Sequence, residues 1–134
     1  MFEANRLPDW EPRLLAYLQE EGRSVFGWGT NDCALFGMGG VMAMTGEHPC
    51  PQYVGAYDDR EGAALALREL GAGTLIGTLD TLFARKRTPF ALRGDLVMVT
   101  GSVGICMGRE ATFLTEADGY THYPRSAFEI AWSI

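Results

Sequence analysis

The stretch FGWGTNDCALF, residues 26–36, sets a thiol directly after Asn31 and Asp32, behind a glycine-punctuated loop and ahead of an apolar run. If Asn31 or Asp32 caps a helix there, Cys33 falls in its first turn. Unpaired backbone N–H groups at that position favour thiolate and lower a cysteine pKa from about 8.5 by one to several units. The same groups can donate to a developing oxyanion. The plainer alternative is a small, inert core cysteine, the ordinary fate of a free thiol. Other candidates are sparse. His122 lies in YTHYP, where strand alternation permits it to face a helix and act as base, or to be a hydrogen-bonded sheet histidine. His48 and Cys50 are separated by one residue without CxxC or HExxH spacing, so loop packing is expected and no metal or other cofactor.

The elements that must position Cys33 follow from periodicity and punctuation. Asp9 is placed to cap a first helix carrying Trp10, Leu14, Tyr17 and Leu18 at helical spacing, tolerating Pro12 in its first turn and ending at Gly22. A second runs from about Cys33 to Thr45 before Gly46 and is apolar nearly all round, which places it in the middle of the domain. Gly37, Gly39 and Gly40 fit there if another backbone comes close. After a Pro- and Gly-rich loop over 47–57, Asp58 or Asp59 caps a third helix through Leu70, and a fourth follows Thr74. The basic triplet Arg85, Lys86 and Arg87 is expected to close that helix.

From residue 94 the period changes. LVMVT, VGICM, ATFLT, YTHYP and AFEIAWSI read as about five antiparallel strands separated by turns. In the last, Phe128, Ile130, Trp132 and Ile134 share one face. The expectation is one α+β domain over residues 1–134, its N-terminal helices including a buried central helix packed on a C-terminal antiparallel sheet. Asp95, behind Gly94, is expected to shape the turn into the first strand.

Taken together, FGWGTNDCALFGMGGVMAMTG, RGDLVMV and SVGICMG resemble the NlpC-type cell-wall cysteine peptidases, relatives of papain in fold, and the branch of that type encoded with phage and prophage tails. Phe26, Trp28, Gly29, Asp32, Cys33, Gly46, Gly94, Asp95, Leu96, Val97, Val103, Gly104 and Ile105 stand where the family pattern asks. The resemblance implies Cys33 as nucleophile and a groove containing Phe26, Trp28, Asp32 and Ser102 for peptidoglycan stem peptides. It also implies a protein made in the bacterial cytoplasm and carried in a virion tail among other tail proteins. On that pattern Ser102, Gly104 and Cys106 point at the central helix, with Gly104 admitting it.

The departures from the pattern are chemical. The family's catalytic histidine would fall at position 102, where this chain has Ser102, and a serine is no base near neutral pH. Phe26 lacks the hydroxyl of the usual tyrosine, and Ala34 and Leu35 replace a small Ser-Gly pair. Three readings therefore stand side by side. One is a tail protein that keeps the fold with weak or lost catalysis; another is an active stem-peptide hydrolase with His122 as base; the third is an intracellular acyl-transfer or thiol-dependent enzyme acting on another substrate.

Totals narrow the class further. Seventeen acidic against eleven basic side chains give a net charge of −6, which disfavours nucleic acid as a partner. The longest apolar run, residues 33–44, is too short for the roughly 20 residues a bilayer requires, so no membrane span is expected. The N-terminal residues lack the pattern of a secretory signal. Three cysteines without close pairing predict reduced thiols.

Overall fold

A computed structural model describes all residues 1–134. Four helices precede most of the sheet: α1 (Trp10–Gln19), α2 (Cys33–Thr45), α3 (Arg60–Leu70) and α4 (Leu75–Leu82). The strands are β1 (Arg85–Lys86), β2 (Leu96–Val99), β3 (Ser102–Cys106), β4 (Glu110–Leu114), β5 (Tyr120–Pro124) and β6 (Ile130–Trp132). They form one antiparallel sheet in the order β1-β6-β2-β3-β4-β5, so the chain returns to insert its last strand beside β2. The α+β order is as expected. No helix is long and apolar enough to cross a membrane.

Helix α2 is the axis of the molecule. Asp32 caps it by accepting the Leu35 N–H, and Gly46 closes it at φ +85°, a left-handed conformation that disfavours side chains. One side of α2 packs on β3, where Gly37 meets Val103 and Gly40 meets Ile105; its other side carries Gly39 against the Tyr17 ring of α1. The glycines admit branched and aromatic side chains, not a neighbouring backbone. Tyr17 Oη also donates to Phe36 O at 2.7 Å, fastening α1 to α2. At the start of α1, Asp9 makes no cap bond; its carboxylate accepts from Arg13 instead, at 2.8 Å.

The sheet is covered on both faces. Leu96, Met98, Val103, Ile105, Leu114 and Trp132 join the helices in an 18-residue core. On the reverse, Val97, Val99, Cys106, Ala111, Phe113 and Ala131 form a second cluster of 8 residues with Ala91 and Phe128. This corrects two sequence expectations. Ser102, Gly104 and Cys106 turn away from α2, while Val103 and Ile105 face it; a side chain at Gly104 would strike Phe113 on the reverse face, at 2.5 Å. Phe128 belongs to the reverse cluster and not with Trp132, because a 3-10 turn over Arg125–Ala127 precedes β6 and breaks the alternation.

The basic triplet does not close α4, which ends at Leu82. Arg85 and Lys86 instead form β1 on β6, making a sixth strand. Their charges are absorbed locally: Arg85 pairs with Asp80 at 2.8 Å and Lys86 with Asp95 at 2.6 Å. Asp95 does shape its turn by accepting the Leu92 N–H, but it also accepts from Arg6 and from the backbone of Ile134, joining both ends of the chain.

Candidate functional site

Local polar bonds build the loop that delivers Cys33. Gly27 and Asn31 pair as a single antiparallel bridge, and the Asn31 side chain donates to the carbonyls of Arg23 and Val25. Gly29, at φ +79°, lies against the Tyr57 carbonyl so closely that any side chain would collide with it. Its N–H donates to Asp32 Oδ2 at 3.1 Å, where the Tyr57 hydroxyl also donates at 2.5 Å, while Oδ1 takes the Leu35 N–H at 3.0 Å. Asp32 is only 2% exposed. Its oxygens are therefore engaged in holding the loop and the helix start.

A direct expectation follows for Asp32→Ala. It removes the cap, worth about 1 kcal/mol, and strands the Gly29 N–H and the Tyr57 hydroxyl, for a total of about 2–3 kcal/mol. A shift of the urea midpoint by that amount at constant slope is the check.

Cys33 opens α2, half-buried between two hollows. One is a groove of about 260 Å³ lined by Phe26, Trp28, Ser102, Glu116, Thr121 and Tyr123 among others. The other is an apolar cavity of about 220 Å³ on the α3–α4 side. Trp28 and Cys33 border both. Phe26 stands edge-on to Trp28, centroids 5.1 Å apart, and its N–H is held by Asp118 at 2.8 Å. Arg60 of α3 reaches Glu116 on the β4–β5 hairpin at 2.8 Å and lies 5.7 Å from the Trp28 ring. That pair is exposed on both sides, so its stabilising effect is small.

The structure thus brings Cys33, Phe26, Trp28 and Ser102 to one groove. Asp32 borders the apolar cavity instead and is occupied as a cap. His122 is not brought to the thiol. It is exposed on the edge strand β5, its Nδ1 lies 3.2 Å from Thr112 Oγ1 and 3.8 Å from Glu110, and it borders neither hollow. Alternation does put it on the α2 side of the sheet, opposite Thr112, yet on the outermost strand. His48 accepts the Cys50 N–H at 3.1 Å in the loop after α2, and burial holds its ring below the usual imidazole range. No three His, Cys, Asp or Glu side chains converge as a metal ion requires.

The electrostatics of the thiol differ from the sequence expectation. Burial is the largest influence and pushes the Cys33 pKa up, a rise to which the carboxylates of Asp32 and Glu116 add. The Val103 and Ala34 backbone N–H groups oppose that shift without reversing it. At Cys33 the desolvation of a half-buried sulfur and two nearby carboxylates outweigh what the helix N-terminus offers the thiolate, and no cation stands beside it to offset them. Cys50, in the wall of the same cavity, is pushed up to about 12 by burial and by Asp32.

Sequence reasoning missed Tyr57, Tyr53 and Glu116. Tyr57 and Tyr53 sit in or beside the Pro- and Gly-rich loop after α2, and Glu116 in a hairpin turn; nothing in their spacing signals that they line the two hollows that Cys33 borders.

No curated protein and no solved structure matches this chain. A family model does match, over residues 5–134, under the description domain of unknown function (DUF6950). The chain accordingly belongs to the DUF6950 family.

Proposed function

We propose that this chain is an NlpC-like cysteine-peptidase-fold protein of a phage or prophage tail whose catalysis is weak or lost and whose role there is structural. The observation that supports the loss of catalysis is that Cys33 and Ser102 border one groove with no imidazole on it, while burial pushes the Cys33 pKa up. General base assistance is commonly worth 10²- to 10⁴-fold, and no imidazole borders the groove to supply it. The sequence resemblance supports the tail setting and, with it, synthesis in the bacterial cytoplasm and contacts with other tail proteins.

Incubating purified peptidoglycan with the native protein and with Cys33→Ala tests this reading. Stem-peptide release is expected to match the protein-free blank for both. Release by the native protein that vanishes in Cys33→Ala would overturn it in favour of an active hydrolase of stem peptides.

A further inference from the structure

The cavity on the α3–α4 side of Cys33 is unlike an ordinary packing defect. Thirteen of its sixteen lining residues are hydrophobic, contributed by α2 (Met38), α3 (Leu67) and α4 (Leu75, Leu79) among others. At about 220 Å³ it exceeds the roughly 150 Å³ apolar cavity that stays dry and takes a benzene, which scales to an occupant of about nine non-hydrogen atoms. An empty apolar hollow destabilises a domain in proportion to its volume.

One polar group interrupts this lining in an unusual way. Tyr53 is 5% exposed and its hydroxyl has no hydrogen-bond partner. The hydroxyl of Thr78 beside it donates to Thr74 O at 2.7 Å and accepts the Ala72 N–H at 3.1 Å, and it stands outside hydrogen-bond geometry with Tyr53. A buried hydroxyl left unbonded costs stability, so this one marks where an acceptor belongs. Asp32 on the wall and the net charge of −6 disfavour an anionic occupant.

We infer that this cavity is a binding site for a neutral aliphatic molecule of about nine non-hydrogen atoms that presents one hydrogen-bond acceptor to Tyr53. The site goes beyond the structural role proposed above and holds whether or not Cys33 is catalytic. Its occupant covers one side of the Cys33 sulfur, since that residue lines the cavity as well as the groove.

A series of 1-butanol, 1-hexanol and 1-octanol, titrated into the full-length protein, reads this directly. Binding is followed by amide NMR shifts and by protection of Cys33 from iodoacetamide. Affinity is expected to rise on the order of fourfold per methylene up to 1-octanol, with shifts confined to residues lining the cavity and with Cys33 protected. Tyr53→Phe, which keeps the ring, should weaken 1-octanol by about tenfold. Ala63→Leu, which fills the cavity from α3, should abolish binding. Failure of 1-octanol to bind, affinity flat along the series, or binding untouched by both substitutions would each overturn the inference.

Discussion

Asp95→Ala is expected to lower the stability of the fold by about 3–5 kcal/mol, a large part of the 5–15 kcal/mol typical of a single domain. The carboxylate is 1% exposed and takes four donors: Arg6 at 3.2 Å, Lys86 at 2.6 Å, the Leu92 N–H at 2.8 Å and the Ile134 N–H at 2.9 Å. Those donors come from the N-terminal segment, from β1, from the turn before β2 and from the last residue. Truncation leaves two cations facing each other without a counter-charge and two N–H groups unpaired, which is why the cost exceeds that of an exposed pair. Asp95→Asn keeps an acceptor oxygen and should fall between native and Asp95→Ala. The check is urea unfolding followed by circular dichroism. A midpoint change equivalent to less than about 0.5 kcal/mol, the range of a neutral surface substitution, would contradict the role given to this residue.

Ser102→His is the second large expectation, and it is a gain. Residue 102 leaves β3 on the face away from α2, but as the first residue of the strand it borders the same groove as Cys33, and an imidazole crossing that groove can take the thiol proton and stabilise the thiolate. Near pH 7 a thiol whose pKa lies above about 8.5 is ionised to a few per cent at most, and pairing brings that fraction close to one. Nucleophilicity falls as the thiol pKa falls, which offsets part of the gain and leaves a net increase of about tenfold in alkylation rate at neutral pH. Ser102→Ala should leave the rate unchanged. Mass-resolved iodoacetamide labelling of Cys33 in the folded variants measures both. Equal rates in native and Ser102→His protein would mean that the groove does not bring position 102 to the sulfur.

What the sequence made legible was local. The α2 boundaries follow from an Asp32 cap and a left-handed Gly46, both of which act within a few residues. Other features were hidden because they depend on distant partners. β1 is two charged residues long and exists only because β6 returns beside it. The family pattern implies the wrong facing for β3, and the strand itself offers no correction: every residue after Ser102 is buried, so no polar alternation reveals which side meets α2. The same blindness affects the site. The position of Cys33 at a helix start was readable, whereas its burial, the carboxylate of Glu116 and the cavity under α3 and α4 arise from tertiary packing.

The thiol's own ionisation tests the account most directly. The rate of iodoacetamide labelling at Cys33 should climb by about tenfold per pH unit from near pH 6 to beyond about pH 9, the behaviour of an isolated, buried thiol. A rate that levels off below pH 7 would reveal a thiolate paired with an imidazole, and with it an active nucleophile that contradicts the account.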